Sequence, residues 1–453
     1  PPLWPPPWDW EERGRDRGNV AGALNERPPA EPWPNPLRFY PEGAASSPFR
    51  VLSTPGHGKH AVTLLWDGPG GTVAFCGDLV CGDGQLWNWY DCDWDYGHQA
   101  GQRELQDSVD RLLGAGPLYL LCPAHGSVVR EPEEVLRRLA GRLRAVLPRN
   151  KPGSAGSAPP SPINFPEVDG PAPGWRQITP HLFQYRTGNN IVLTNDHGKA
   201  LMIDDGLCQW LPVKDRLREH DRVIDAFKRG AGIESIEVVV PTHFHGDHTE
   251  YLPHLAEREG ARMVTLDRIA GPMTHPERYN LSCLLPWYGS VADTLSFDQL
   301  LEEGEIFHWG GYAIEFFHLG GQTGYHLGLN LEVDGEKTLI VGDAWWGKGG
   351  GSPPVLCWND SPPRTRGWLY SARRIAEREP DLLVCGHGSA IRQPREAVAQ
   401  AIARREAQAR DFDALNPHLD EIPFFQPPTL IRSSPAATAT PKVAPNPGYG
   451  SRG

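Results

Sequence analysis

The 453-residue sequence has no apolar run approaching the length of a membrane-spanning helix, and its Pro/Trp-rich start lacks the apolar core of a signal peptide. A membrane partner is therefore not expected. Its eight cysteines (positions 76, 81, 92, 122, 208, 283, 357 and 385) include no CxxC pair and no dense framework, so reduced thiols in a cytoplasmic protein are the expectation. Basic residues are outnumbered: Lys plus Arg is 44 against 56 for Asp plus Glu, a net charge of −12, which argues against a broad nucleic-acid footprint. What is abundant is proline (46) and glycine (50), a balance that suits a loop-rich enzyme with disordered ends better than a helical bundle. The length allows two or three domains. The chain begins with Pro1 rather than Met, and an upstream segment is expected to be missing.

The most informative stretch is Thr242-His243-Phe244-His245-Gly246-Asp247-His248. A short β-branched run, Ile236 to Val240, reads as a buried strand leading into it, and a helix-like segment closed by Gly260 follows. The motif thus sits at a strand's C-terminal end and a helix N-terminus, where open α/β sheets place their chemistry. Three imidazoles and a carboxylate within six residues call for a shared partner, and a divalent metal is the natural one.

Along the chain, residues 1–47 read as a Pro/Trp-rich extended arm. A first unit, 48–148, shows strands at 49–53, 61–66, 72–75 and 118–122 and helices near 102–113 and 133–147. Residues 149–174 read as a flexible linker. A second unit, 175–392, carries the histidine motif, with strands at 182–185, 190–194, 200–203, 236–240, 263–266, 312–318, 327–333, 338–341 and 381–384. Residues 268–300 read as an irregular loop or lid. The remainder, 393–453, is a helix at 394–411 and a tail that reads as disordered beyond about 427.

The two units repeat each other. LSTPGHGKHAVTLL matches FFHLGGQTGYHLGL, AFCGDLV matches LIVGDAW, and LLCPAHG matches LLVCGHG. His57 to Asp78 spans 21 residues, as does Gln322 to Asp343, and Asp78 to His125 spans 47 against 44 for Asp343 to His387. Three motifs in one order at matching spacing indicate a duplication. No HxHxDH precedes His57, so the first unit reads as the C-terminal half of a domain whose N-terminal half is lost or lies outside this sequence.

The HxHxDH pattern, together with GD at 342–343 and GHG at 386–388, resembles the metallo-β-lactamase-fold hydrolases. That resemblance implies an α+β fold, a four-layered αββα sandwich, over 175–392 with a partial copy before it. It also implies a pair of zinc ions. Carried over by position, His243 and His245 hold one metal, Asp247 and His248 the other, Asp343 bridges, and His387 completes the second. A water bridging the metals is then the nucleophile, with Asp247 orienting it, and Asp204 orients histidines without binding metal. The chain departs from the family where Gln322 stands at the third-histidine position. His326, four residues on, is the favoured replacement ligand, with His318 or a Gln322-oriented water as the alternatives. Tyr279, Trp287, Tyr288, Trp345 and Trp346 are substrate-contact candidates, each weighed against ordinary core packing. In the first unit, His57, Asp78 and His125, with His60 beside them, match part of the site but lack the rest of it.

The implied function is a zinc-dependent hydrolase acting on an ester, thioester, lactone or amide-like bond of a small molecule. A mononuclear iron dioxygenase of the same fold is the alternative, since the irregular third-histidine position would leave one metal site empty. An interaction protein, with the N-terminal unit as a docking scaffold, is the third reading. Neither the substrate nor the oligomeric state is legible from the sequence.

Overall fold

The computed structural model describes residues 48–58, 61–87, 100–149, 168–186, 189–206, 213–279, 284, 293–346 and 367–416. The expected N-terminal arm, most of the linker, the disordered tail and Trp287 and Tyr288 lie outside the described residues. The strands, in chain order, are β1 (Phe49–Ser53), β2 (Val62–Gly68), β3 (Gly71–Gly77) and β4 (Leu118–Pro123) in a first sheet of order β1-β2-β3-β4. A second sheet has the order β12-β11-β10-β9-β8-β7-β6-β5. It comprises β5 (Val168–Asp169), β6 (Trp175–Thr179), β7 (Leu182–Tyr185), β8 (Ile191–Thr194), β9 (Lys199–Ile203), β10 (Ser235–Val240), β11 (Arg262–Leu266) and β12 (Gln299–Leu301). The third, in sequential order, holds β13 (Ile306–Trp309), β14 (Tyr312–Leu319), β15 (His326–Val333), β16 (Glu336–Ile340), β17 (Leu382–Val384) and β18 (Ile391–Arg392). The helices are α1 (Ala100–Gly114), α2 (Pro132–Arg149), α3 (Val213–Ala231), α4 (Gly246–Thr249), α5 (Leu252–Glu259), α6 (Asp267–Thr274), α7 (Gly367–Glu377) and α8 (Arg395–Leu415).

The second and third sheets face each other across one apolar cluster, to which Leu193, Leu201 and Val238 contribute from the second sheet and Phe316, Leu329 and Ile340 from the third. Val223, Ile224 and Phe227 of α3, spaced to share one helix face, join that cluster from outside the second sheet. The third sheet's other face packs Phe317, Leu339 and Leu383 against α7 and α8. Helix, sheet, sheet, helix: this is the αββα sandwich, with mixed α+β content, that the histidine motif suggested. Strands β8 and β9, and β10 from Val238 on, are buried on both faces, so they read as continuous apolar runs rather than alternating ones.

Local chemistry explains most boundaries. Pro253 opens α5, and Gly260, at φ +66°, ends it in the left-handed conformation that glycine adopts without a Cβ penalty. Three differences from the sequence reading have physical causes. The expected loop from 268 begins as helix α6, because Ile269, Ala270 and Met273 bury a helical face strongly enough to tolerate Pro272. The chain joins the second sheet at Val168, before the expected start at 175, through two residues too short to show a period. Helix α8 is not a peripheral appendage. Val398 and Ala401 pack under the third sheet, while Leu415 enters the core of the first unit and its carbonyl accepts the Leu86 N–H at 2.8 Å. Among the described residues no helix is long and apolar enough to cross a membrane.

The first sheet repeats the pairing pattern of the third. Pairs Arg50↔Leu65 and Ser53↔Val62 recur as Glu315↔Asn330 and His318↔Leu327, and Leu64↔Phe75 recurs as Leu329↔Ile340. The parallel pair Val73↔Leu120 recurs as Thr338↔Leu382, and the bridge Leu121↔Val129 as Leu383↔Ile391. Gly77 and Gly126 also adopt positive φ, as do Gly342 and Gly388.

Candidate metal centre

The site lies at the C-terminal ends of β9 and β10, where the second sheet meets the turns after β16 and β17. Strand β10 delivers Thr242 through His248 into the gap, and the isolated bridge His243↔His326 ties this segment to β15 in the opposite sheet. His243 and His248 are fully buried and His245 nearly so. Two groups of side chains bring their ligand atoms within 4.8 Å of one another: His243, His248 and Asp343, and Asp247, His248 and His387. His387 Nε2 stands 3.4 Å from Asp247 Oδ2 and 3.2 Å from Asp343 Oδ2, and His248 Nε2 stands 3.4 Å from Asp343 Oδ1. His245 flanks the first group, its ring 4.5 Å from that of His243. The structure therefore gathers His243, His245, Asp247, His248, Asp343 and His387 at one place.

The surrounding shell holds these groups in orientation. Asp204, left-handed at φ +55° and fully buried, accepts from the Thr242 N–H (2.6 Å), from the Thr242 hydroxyl (2.8 Å) and from His248 Nδ1 (2.8 Å). That bond leaves His248 Nε2 directed at the carboxylates. Asn189 Nδ2 reaches Asp247 Oδ2 at 3.1 Å. Arg176 and Gln184, from β6 and β7, grip the loop bearing His387: Arg176 donates to the Gly388 carbonyl (2.5 Å) and the Ser389 hydroxyl (3.0 Å), and Gln184 to the Cys385 carbonyl (2.8 Å). Backbone approach is close as well. A Cβ on Gly386 would lie 2.5 Å from Asp343 Oδ1 and 2.8 Å from His248 Cε1.

Burial drives the imidazoles of His243 and His245 down, the latter to about 4, so both are neutral. Burial acts the same way on His248 and His387, but carboxylates override it. Asp343 and Asp204 hold His248 well above the usual range, and Asp343 with Asp247 lifts His387 to about 9. Asp343 and Asp247 in turn are held low against burial by those two imidazoles. The carboxylates thus demand positive charge between them, while His243 Nε2, His245 Nε2 and Asp343 Oδ1 are buried without a hydrogen-bond partner. Neutral imidazole lone pairs and carboxylate oxygens converging on one spot are the donor set of a divalent cation, and these residues fit one.

Gln322 occupies the position expected for a third histidine, and its amide donates to Asp343 Oδ2 at 2.8 Å. His326 stacks on His243 with ring centroids 4.7 Å apart, but its Nε2 accepts the Asp343 N–H at 3.1 Å, and it belongs to neither ligand group. His318 is turned to the Gly324 carbonyl (2.8 Å) and the Tyr370 hydroxyl (3.2 Å). Trp345 is fully buried among Phe317, Leu319 and Ala372, a packing role, whereas Trp346 is half-buried with its ring 6.4 Å from His387. Tyr279 stacks edge-on against Tyr325, which contacts Phe244. A further group, His220, Asp221 and His254, already has a cation: Arg258 donates to the same Asp221 oxygen at 2.8 Å. In the first unit His125 Nδ1 meets Asp78 Oδ1 at 2.5 Å under the stacked ring of Trp87, and His60 lies outside the described residues.

Sequence reading missed Arg176, Gln184 and Asn189. Nothing about an arginine on a short strand marks it as the holder of a loop more than two hundred residues away; only their burial, at 6% exposure or less, gives them away.

Residues 185–387 match the family model of the metallo-beta-lactamase superfamily. No curated protein matches the chain. Solved structures similar to it include a metallo-beta-lactamase of Cronobacter sakazakii with a HARLDQ motif, at 17% identity, covering 53% of this chain and 99% of that one with a TM-score of 0.41. Another is a metallo-beta-lactamase family protein of Thermus thermophilus, at 19% identity, covering 52% and 80% with a TM-score of 0.40. A third is the subclass B3 enzyme BJP-1 of Bradyrhizobium japonicum, at 13% identity, covering 54% and 93% with a TM-score of 0.37.

Proposed function

Since residues 185–387 are a metallo-β-lactamase superfamily domain, we propose that the protein is a zinc-dependent hydrolase that cleaves an ester, thioester, lactone or amide-like bond of a small molecule. The observation that carries this is the convergence of His243, His248 and Asp343 with Asp247 and His387 on one buried spot. His243 and His245 would hold one zinc and Asp247, His248 and His387 a second, with the Asp343 carboxylate available as a further ligand. When bound, zinc lowers the pKa of a water in the site and polarises a carbonyl.

The remaining work belongs to the chain's own groups. Asp247, steadied by the Asn189 amide, orients the attacking water. Asp204 keeps His248 in one tautomer and one rotamer, so its Nε2 stays on the carboxylate side. Arg176 and Gln184 hold the His387 loop at its working distance from Asp343. Trp346 and Tyr279 border the approach and supply apolar surface for the substrate's non-reacting part. The acidic balance of the chain favours a small molecule over nucleic acid as substrate, and a cytoplasmic setting agrees with the four described cysteines all being free thiols.

One observation favours a second reading. Gln322 leaves only two histidines for the first position, which suits a single metal at the second and a mononuclear iron oxygenase. We also read residues 48–148 as a partial copy of the domain; the matching pairing registers support this. The test is metal content by inductively coupled plasma mass spectrometry on protein purified without added metal, with hydrolysis of ester, thioester and lactone panels. Two zinc ions per chain, lost together with activity in Asp343→Asn, are expected. One iron, or hydrolysis that survives complete metal removal, overturns the zinc hydrolase.

A further inference from the structure

Four lone-pair atoms buried at the metal centre have no hydrogen-bond partner among the described residues: His243 Nε2, His245 Nε2, Asp343 Oδ1 and Gln322 Oε1. Two of them are fixed in direction by their neighbours. The Thr242 hydroxyl gives its hydrogen to Asp204, so it accepts from His243 Nδ1 (3.0 Å) and leaves Nε2 bare. Gln322 is 3% exposed, and its amide nitrogen must face the Asp343 carboxylate, 2.8 Å away, which holds its oxygen on the other edge of the amide. Helix α7 grips the turn that carries it. Ser371 Oγ accepts the Gly320 N–H at 2.8 Å and donates to the Gly320 carbonyl. The Trp368 ring lies so near Gly321 that a Cβ there would stand 2.6 Å from it. A buried carbonyl oxygen without a donor is costly to keep, yet this anchored turn keeps one.

Neither nearby histidine offers a lone pair instead. His326 Nε2 accepts the Asp343 N–H, and burial holds this imidazole down at about 3, so the neutral ring carries its one proton on Nδ1. His318 Nε2 donates to the Gly324 carbonyl, which leaves its Nδ1 facing the Tyr370 hydroxyl. We propose that Gln322 binds metal through Oε1, together with His243 and His245, and that this makes theirs the labile position of the pair. The proposal rests on the metal centre of the hydrolase reading and deepens it. Asp247, His248 and His387 already form a group of three, whereas His243 and His245 lack a third donor of their own. With Gln322 added, each position has two imidazoles and one oxygen, and Asp343 is within reach as a further ligand. The two oxygens differ in charge, carboxylate in Asp247 and neutral amide in Gln322. With donor number and nitrogen count matched, ligand charge decides affinity, so the His243 position binds more weakly and fills last.

Zinc titration of the metal-stripped full chain against a chromophoric chelator tests this, alongside Gln322→Ala and Gln322→Glu. The unsubstituted chain is expected to bind two ions, the second about tenfold or more weakly than the first. Gln322→Ala should leave the tighter ion unchanged and weaken the other about 10–100-fold. Gln322→Glu keeps an oxygen and adds the missing charge, so it should restore the weaker ion at least to the unsubstituted level. A single ion in the unsubstituted chain overturns the proposal, as does a Gln322→Ala variant with both affinities unchanged. A Gln322→Glu variant that binds the weaker ion no better than Gln322→Ala also overturns it, since the amide then serves the turn and not the metal. Hydrolysis does not enter this readout. A chain that binds two ions in the expected way and cleaves nothing loses the hydrolase reading alone; a two-zinc hydrolase indifferent to Gln322→Ala loses this proposal alone.

Discussion

His220 offers a prediction whose sign and size follow from its neighbours. It is fully buried on α3, its Nε2 is 2.8 Å from Asp205 Oδ2, and its Nδ1 is 3.3 Å from Asp221 Oδ1. Burial by itself would push the imidazole down, but the Asp205 and Asp221 carboxylates override it and raise it to about 9. A group whose folded pKa exceeds its unfolded value stabilises fully below the unfolded value, near 6.5, and loses that contribution as pH rises through the folded value, near 9. At 1.36 kcal/mol per unit, the window corresponds to about 3 kcal/mol lost between roughly pH 6.5 and pH 10. The assay is urea denaturation followed by tryptophan fluorescence at intervals from about pH 6 to about pH 10, on the unsubstituted protein and on His220→Gln, which retains a donor toward Asp205. Subtracting the two removes the lysines, tyrosines and thiols that titrate in the same range. The difference in stability should be constant at the acid end and shrink steadily above neutrality. A difference that stays flat across the range would refute the assignment of a buried imidazolium.

Other substitutions probe the metal centre and its support. Gln322→His restores an imidazole beside Asp343, and metal bound per chain should rise or tighten about tenfold or more, measured by competition with a chromophoric chelator. Gly386→Ala forces a Cβ against Asp343 Oδ1 and His248 Cε1; metal affinity should fall about 10–100-fold while the circular dichroism spectrum is kept. Arg176→Met leaves the Gly388 carbonyl and Gln184 Oε1 without their donor, and should cost about 1–3 kcal/mol in urea denaturation, together with weaker metal binding through the loosened His387 loop. An unchanged metal affinity in that variant would show that the loop is held by other contacts.

The chemistry of the centre is readable from residue order alone. His243, His245, Asp247 and His248 lie within six residues after a run of buried β-branched side chains, so their proximity is local and needs no tertiary contact to establish. Asp343 and His387 were legible only through the GD and GHG motifs that carry the family resemblance. Apolar and β-branched runs bounded by Gly and Pro likewise marked the strands of the first unit, and amphipathic spacing marked its second helix.

What holds those groups, and what faces them, came only with the packed fold. Arg176, Gln184 and Asn189 act on loops that arrive from distant parts of the chain, and a polar residue on a strand carries no mark of its eventual acceptor. Whether Gln322, His326 or His318 faces the carboxylates depended on which way the turn between β14 and β15 twists, a matter of register rather than residue type. Trp345 and Trp346 are adjacent and chemically identical, yet one fills the core and the other borders the site, because successive side chains of an extended segment point to opposite sides.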